Sequence, residues 1–195
     1  MDILFNKILD IHKTQLNYLN ISHKKLLICF SAIPAAGKTH ISKILEEKYK
    51  AVRINNNSIR EIIKSIIPGT KNEILDKRQE ILQDYLLWFL NNYSFLNKLI
   101  IIDSGIDRKY SKIKEFADKN DFDLFLIHLK VSREVAYKRA ILRNGGKEDS
   151  NFTQNIERWI KENKKLLSNV LPDILLDGEN LKLEELFSNL NRIIS

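Results

Sequence analysis

Apolar residues follow two patterns along this chain: short unbroken runs, and longer stretches in which they recur every three or four positions. Unbroken runs are typical of strands buried on both faces of a sheet, and the spaced positions are typical of amphipathic helices. The runs predict strands at residues 25–31, 51–55, 98–104, 122–131 and 172–177. The spaced positions predict helices at residues 2–20, 58 to about 68, 72–91, 109–120, 133–143 and 153–171, with one more after the first strand and one after the last.

Strand and helix alternate five times, which is the pattern of a parallel sheet covered by helices. We therefore predict an α/β fold with a five-stranded parallel sheet. Two helix starts carry capping signals: Ser132 precedes one, and Ser58 with Glu61 forms an S-x-x-E capping box at another. No internal repeat, Pro/Ser-rich linker or break in composition is visible, so we predict one domain over residues 1–195, with an N-terminal helix within residues 1–22.

The composition argues against a disordered or membrane-spanning chain. Hydrophobic residues make up 44% of the sequence and charged residues 29%, and no apolar run approaches the length of a bilayer span. The single cysteine, Cys29, cannot form an internal disulfide, and the N-terminus lacks a basic leader followed by an apolar stretch. We therefore expect an intracellular, cytoplasmic protein.

The net charge is positive. A formal charge of +7 favours anionic partners such as nucleotides or nucleic acids. Lysine is frequent throughout the chain, however, so solvated helix faces account for the excess equally well. A nucleic-acid footprint requires a localised basic patch, and the charge alone does not distinguish these alternatives.

Three features lie at the carboxyl ends of predicted strands: a turn of small residues after the first strand, Asn57 after the second, and Asp103 at the end of the third. Right-handed crossovers place the carboxyl ends of parallel strands at one edge of the sheet, so these features are expected to lie together. Ligands of such sheets bind in the crevice outside that edge. The sequence therefore predicts a single functional crevice.

The turn reads AIPAAGKT over residues 32–39 and matches the phosphate-binding pattern G-x-x-x-x-G-K-[ST], with alanine in place of the first glycine. In such a loop consecutive backbone N–H groups point at an anion, with a helix N-terminus behind them. Gly37 would let the backbone approach the phosphates, Lys38 would reach the β- and γ-phosphates, and the Thr39 hydroxyl would ligate Mg²⁺. The alternative is a strand-to-helix turn with an incidental Gly-Lys-Thr, but the buried strand before it and the helix after it favour phosphate binding. The residues predicted to bind nucleotide here are Ala32, Pro34, Ala35, Ala36, Gly37, Lys38, Thr39 and His40.

Over residues 25–177 the chain resembles small P-loop kinases, a group that includes polynucleotide 5′-hydroxyl kinases, zeta-toxin-like kinases and antibiotic phosphotransferases. Members typically show G-x-P-G-S-G-K-[ST] at the loop; this chain keeps the proline, the last glycine, the lysine and the threonine, and has alanine at the other three positions. The resemblance implies a three-layer α/β/α P-loop NTPase fold of the kinase type. It also implies ATP and Mg²⁺ as cofactors.

Kinases of this group often carry an aspartate after the second strand, followed three residues later by an arginine. The aspartate accepts or orients the proton of the attacking hydroxyl, and the arginine contacts the acceptor phosphate or the transferring group. Here Arg60 is present, but Asn57 stands in the place of the acid, and asparagine cannot act as a general base. Three outcomes follow: Asn57 orients the hydroxyl in a weaker enzyme, Asp103 or Asp107 serves instead, or the chain binds nucleotide without turnover. Asn57 is also interpretable as a simple helix-entry residue beside the Ser58 cap.

Two further segments resemble parts of these kinases. LIIIDS resembles the strand whose aspartate is associated with Mg²⁺, so Asp103 would hold a metal-bound water near Thr39; the alternative is an acid that only ends the strand. VSREVAYKRAILRN resembles the start of the lid. Arg139 and Arg143 share one helix face, from which they would clamp the phosphates or stack on the base, unless they form a solvated basic face. The polar, glycine-containing residues 144–152 are the candidate lid loop.

The resemblance implies an ATP-dependent phosphotransferase that moves the γ-phosphate to a hydroxyl, most readily a polynucleotide 5′-hydroxyl or a nucleotide-like small molecule held by Arg60. The alternatives are a nucleotide-binding pseudokinase or regulator, a zeta-toxin-like nucleotide-sugar kinase, and a nucleic-acid-binding module that does not depend on Lys38. The four histidines have no mutual metal-binding spacing. The aromatic segment 84–93 is predicted to be a buried helix and not a surface for stacking bases.

Overall fold

Five strands form one parallel sheet in the computed structural model. The structure describes residues 2–16, 24–69, 72–93, 99–148 and 150–195. The strands are β1 (Leu26–Ser31), β2 (Val52–Asn55), β3 (Leu99–Gly105), β4 (Asp123–Lys130) and β5 (Ile174–Asp177). They are arranged in the order β2-β3-β1-β4-β5, and every neighbouring pair is parallel. The predicted five-stranded parallel sheet is confirmed.

The helices connect these strands on both sides of the sheet. They are α1 (Asp2–Leu9), a 3₁₀ helix (Asp10–His12), α2 (Lys13–Leu16), α3 (Lys38–Tyr49), α4 (Asn56–Ile66), α5 (Asn72–Tyr93), α6 (Tyr110–Lys119), α7 (Arg133–Arg143), α8 (Ser150–Leu167) and α9 (Glu184–Ile194). The prediction placed α8 at 153–171, so the helix begins three residues earlier and ends four earlier than expected. Residues 17–20 and 98, which the prediction included, lie outside the described residues.

The start of α4 corrects one prediction. The N-cap of this helix is Asn55, whose side chain accepts a hydrogen bond of 2.9 Å from the backbone N–H of Asn57. The S-x-x-E box of Ser58 and Glu61 is therefore not the cap. Asn55 ends β2 with extended backbone angles, φ −95° and ψ 105°, which already suit an N-cap, so the helix starts before Ser58 is reached. At α7 the predicted cap is confirmed, since the Ser132 side chain accepts from the Val135 N–H at 3.4 Å.

Apolar side chains fill two layers, one on each face of the sheet. All six residues of β1 are buried, with Leu26, Ile28 and Phe30 in one layer and Leu27 and Cys29 in the other. The first layer is completed by side chains of α3, α7, α8 and α9, and the second mainly by those of α1, α4, α5 and α6. The unbroken apolar run thus forms a central strand covered on both sides.

The aromatic segment 84–93 lies in the second layer, as predicted. Tyr85 and Phe89 of α5 are fully buried, and the rings of Phe5 and Tyr85 meet edge to face with centroids 5.5 Å apart. Segment 84–93 therefore contributes core packing at the positions that face inward. None of the helices in the described part of the chain is long and apolar enough to cross a bilayer.

Candidate functional site

The loop between β1 and α3 has the backbone of an anion-binding turn. Gly37 is the N-cap of α3 with φ 113° and ψ 7°, and no side chain caps this helix. Ala35 also has a positive φ, 62°. Left-handed backbone costs an alanine about 1 kcal/mol more than a glycine. Helix α3 therefore begins, directly after a tightly turned loop, with backbone N–H groups that no side chain caps.

Lys38 folds back over this loop. Its Nζ donates to the carbonyl oxygens of Ala32, at 3.1 Å, and Ile33, at 2.8 Å. Burial lowers the pKa of Lys38 to about 8, although the carboxylates of Asp107 and Asp103 act in the opposite direction. The lysine thus lies between the start of the loop and two acids, where a phosphate would replace neutral carbonyl acceptors.

Thr39 and Asp103 meet as the sequence predicted. The Thr39 Oγ1 donates to Asp103 Oδ1 at 3.0 Å, and the Asp103 side chain is only 1% exposed. A hydroxyl and a carboxylate oxygen at this separation are hard ligands of the type that Mg²⁺ prefers. The pair therefore fits a magnesium site beside the loop.

Arg53, which sequence reasoning missed, holds the other oxygen of Asp103. Its Nη1 lies 2.7 Å from Asp103 Oδ2, and its Nε lies 2.5 Å from Glu46 Oε2. Gln15 extends the group by donating from Nε2 to Glu46 Oε1 at 2.5 Å. The only signal in the sequence was a charge inside the short strand AVRIN. Arg53 fixes the direction of the Asp103 carboxylate and compensates its buried charge.

Asn57 and Arg60 also lie together, on the first turns of α4. The Asn57 Oδ1 accepts from Arg60 Nη1 at 3.4 Å, and both residues are exposed. Because Asn55 pairs with Asp103 across the β2–β3 ladder, α4 begins at the same sheet edge as the loop that follows β3. The Asn57 amide is thus available to a ligand at that edge.

Asp107, the second acid that the sequence offered as a substitute for Asn57, also lies in the crevice. Its Oδ1 accepts from Ser31 Oγ at 2.7 Å and from Asn163 Nδ2 at 2.9 Å. Asn163 comes from α8 and also donates to Ser31 Oγ at 2.7 Å. Of the two acids considered as substitutes for Asn57, Asp103 has both oxygens engaged by Thr39 and Arg53. Asp107 is oriented by neutral donors and attracts the charge of Lys38.

Arg139 and Arg143 both act on the loop between β1 and α3. Arg139 donates from Nη1 to Ala36 O at 3.3 Å and from Nη2 to Gly178 O at 2.8 Å, which ties the loop to the segment after β5. Arg143 is close enough to Lys38 to help lower its pKa. Both arginines therefore lie near the loop between β1 and α3, and their role as a clamp on the phosphates stays a prediction.

A cavity of about 340 Å³ adjoins the loop on the Arg139 side. It is lined by Ala36, Gly37, His40, Arg139, Gly178 and Leu181, among others. His40, predicted to contact nucleotide, is exposed at its wall. The volume falls at the lower end of the range of small-molecule sites.

The turn after α7 contains both glycines of the candidate lid. Gly145 and Gly146 have φ of 68° and 81°, and residues 143–148 are all exposed. The lid was predicted over residues 144–152, but α8 begins at Ser150, so the turn is shorter than expected. Residue 149 lies outside the described residues. The Tyr137 hydroxyl donates to Glu148 Oε1 at 2.7 Å and anchors one end of the turn.

No protein-family model matches this sequence, and no curated protein matches it. Solved structures do. One, from the PezAT chromosomal toxin–antitoxin system of Streptococcus pneumoniae, has a TM-score of 0.69 at 14% identity and covers 92% of this chain and 78% of its own. Another, the APS kinase CysC of Mycobacterium tuberculosis in complex with AMPPNP and APS, has a TM-score of 0.52 at 10% identity and covers 87% of this chain and 97% of its own. The fold is a three-layer P-loop NTPase fold of the kinase type.

Proposed function

We propose that this protein is an ATP-dependent phosphotransferase that moves the γ-phosphoryl group of ATP to a hydroxyl of an acceptor. The observation that carries the proposal is the juxtaposition of Lys38, Thr39 and Asp103 at the uncapped N-terminus of α3. An AMPPNP-bound kinase of the same fold supports a nucleoside triphosphate as the donor.

The polyphosphate would bind against the backbone N–H groups at the start of α3, where the helix dipole favours negative charge. Lys38 would exchange its two carbonyl acceptors for phosphate oxygens. Thr39 and Asp103 would hold Mg²⁺, which when bound neutralises charge on the phosphates during transfer. The cavity bordered by Arg139 and His40 would receive the nucleoside.

In the transfer, the bond between the γ-phosphorus and the β–γ bridging oxygen breaks, and a new bond forms to the acceptor oxygen. ADP leaves, and the hydroxyl proton passes to a carboxylate or to water. Asn57 and Arg60 would orient the acceptor, and Asp107 would be the candidate carboxylate for the proton. Arg143 and the turn at 144–148 would lie over the phosphates.

A second candidate function is a nucleotide-binding pseudokinase or regulator. The observation that favours it is Asn57, an amide where the resemblance expects a base. Such a protein would bind Mg-ATP without transferring phosphate to any acceptor. Within the enzymatic class, the resemblance of the sequence to zeta-toxin-like kinases keeps a nucleotide-sugar acceptor as an alternative to a polynucleotide 5′-hydroxyl.

A screen with γ-labelled ATP tests the proposal. The acceptors should include 5′-hydroxyl RNA and DNA, nucleosides, UDP-sugars and aminoglycoside-type alcohols. Label transfer to one class would identify the enzyme and its acceptor. Mg-ATP binding with no transfer anywhere would favour the regulator.

Replacing Lys38 with alanine should weaken Mg-ATP binding about 10- to 100-fold, because hydrogen bonds to a charged partner contribute about 1.5–3 kcal/mol. Calorimetric titration measures this change. The matched control is Lys43→Ala, since Lys43 is exposed on the same helix. An affinity that both variants leave unchanged would place the nucleotide elsewhere and contradict the proposal.

Affinity for Mg-ATP should also fall as the pH rises above about 8, the pKa of Lys38 in the free protein. Polyphosphate stabilises the charged lysine, so its pKa is higher in the complex, and binding above pH 8 must take up a proton. The dissociation constant should rise by up to about tenfold per pH unit until the pKa of the complex is reached. Lys38→Arg keeps its charge, so its affinity should show only the titration of ATP itself. Identical pH profiles for the two proteins would exclude this coupling.

A further inference from the structure

A cationic cluster lies beside the candidate transfer site, on the side away from the AIPAAGKT loop. We define it by four residues: Arg60 on α4, Arg108 and Lys109 in the connection after β3, and Lys112 in the first turn of α6. Strands β2 and β3 are parallel neighbours, with Asn55 opposite Asp103, so the segments that follow them leave the same edge side by side. The topology therefore brings cations from two separate chain segments to one place.

Lys109 is the centre of this cluster and is half-buried. In the described part of the chain, the charged groups that act on it most are cations: Arg60, Arg108 and Lys112. Burial and this repulsion lower the pKa of Lys109 to about 8. Partial loss of solvent and repulsion from Arg108 likewise lower the pKa of Arg60, although its side chain still reaches the surface. Repulsion among these cations therefore opposes their charged state in the free protein.

The partners of the cluster compensate only part of this charge. Arg108 Nε lies 3.1 Å from Glu162 Oε2, in a contact that is more than half exposed on the arginine side. The hydrogen bond described for Arg60 goes to a neutral amide oxygen, that of Asn57. The first turn of α6 carries no acidic residue, and its N-cap, Lys109, makes no side-chain cap. The positive end of this ten-residue helix adds to the potential instead of being neutralised.

The cluster is connected to the atoms proposed to carry out transfer. Arg60 contacts Asn57, which stands where the acceptor hydroxyl would be oriented. Asp107, which attracts Lys38, directly precedes Arg108 in the chain. An acceptor whose hydroxyl lies near Asn57 and Asp107 would therefore present its neighbouring group to Arg60 and Lys109.

We propose that the acceptor carries a phosphate group close to the hydroxyl that is phosphorylated, and that Arg60 and Lys109 bind it with support from Arg108 and Lys112. This inference rests on the proposed function and narrows its acceptor class. It selects phosphate-bearing hydroxyl compounds, such as a 5′-hydroxyl polynucleotide, a nucleoside monophosphate or a nucleotide-sugar. It excludes neutral nucleosides and cationic aminoglycosides as the preferred acceptors.

The test compares acceptors that differ only in the phosphate, with the full chain held in saturating Mg-AMPPNP. Thymidine 3′-monophosphate and a 5′-hydroxyl dithymidine phosphodiester are each titrated against thymidine by calorimetry. Both phosphorylated compounds should bind at least about tenfold more tightly than thymidine. A preference for the diester would indicate a polynucleotide, and a preference for the monoester a small phosphorylated molecule. Equal affinity for all three would overturn the inference.

Lys109→Gln should reduce the preference for the phosphorylated compounds about tenfold and leave the affinity for Mg-ATP unchanged. Arg60→Gln should reduce the same preference about tenfold. The matched control is Lys114→Gln, because Lys114 is exposed on α6 and pairs with Asp118. Lys109→Gln should in addition raise the thermal midpoint of the free protein, since it removes a crowded like charge; a purely structural lysine would lower it. If a neutral acceptor is phosphorylated equally well by the parent and Lys109→Gln, the proposed function stands and this inference falls. The phosphorylated probes could instead bind in a way that depends on the cationic cluster while no acceptor is phosphorylated. In that case the anion site is supported and the proposed function is contradicted.

Discussion

Asn57→Asp should increase phosphoryl transfer to the correct acceptor by about 10²–10⁴-fold, the range that a positioned general base contributes. The new carboxylate would lie in the first turn of α4, where the positive end of the helix favours a negative charge, so the variant should fold. Its contact with Arg60 would lower its basicity, which places the expected gain toward the lower end of that range. Initial rates of label transfer from γ-labelled ATP measure the effect.

Ser58→Asp is the control for the added charge alone, because Ser58 is exposed on the same turn. It should produce no gain. Asp107→Asn tests the alternative base: if Asp107 takes the proton, this change should abolish the parent activity, and the gain from Asn57→Asp should be small. A parent and an Asn57→Asp variant that are both silent on every acceptor would contradict the kinase proposal and favour the regulator.

Arg53→Met should destabilise the protein by about 3–5 kcal/mol, because removing one partner of a buried ion pair leaves an uncompensated charge. The guanidinium is 12% exposed and contacts both Asp103 and Glu46, whose carboxylates are 1% and 16% exposed. Methionine keeps most of the side-chain volume, so the decrease in the free energy of unfolding reflects mainly the removal of the charge. Denaturant unfolding, compared with the parent, measures it.

A double variant, Arg53→Met with Asp103→Asn, separates the pair from general damage to β2. Asp103→Asn removes one of the two carboxylates, those of Asp103 and Glu46, that lose their partner in Arg53→Met. It should therefore recover part of the lost stability. Arg133→Met is the surface control, since its contact with Glu157 is more than half exposed on both sides, and it should cost far less. Equal losses for Arg53→Met and Arg133→Met would show that the buried group does not stabilise the fold.

The fold could be predicted because its signals are local. The run LLICFS is apolar at nearly every position, and burial of all six residues in β1 follows from that alone. The loop at 32–39 can be recognised from the local sequence Gly37, Lys38 and Thr39. The predicted cap at Ser58 was wrong for a local reason too: the capping-box pattern was present, but Asn55 came first and already had the backbone that a cap requires.

The site was harder to predict, because its contacts join positions that are far apart in the sequence. Arg53 pairs with Asp103, fifty residues away, and a single charge in a four-residue strand gives no indication of its partner. Asn163 reaches Asp107 from α8, a helix whose sequence reads only as amphipathic. Lys109 is one of many lysines in the sequence. Its proximity to other cations becomes visible only in the structure, where the segments that follow β2 and β3 lie side by side.

Alanine at position 35 affects how the loop meets its ligand. A glycine-rich loop samples many backbone conformations and must become ordered when it binds a nucleotide. The entropy lost in this ordering weakens the affinity. Here Ala35 holds a left-handed conformation at φ 62° in the free chain, so part of that ordering is complete beforehand. The Ala35 side chain also restricts how far the loop can adjust to its ligand. The protein should therefore discriminate more strongly among polyphosphates of different length and shape than a protein with glycine at this position.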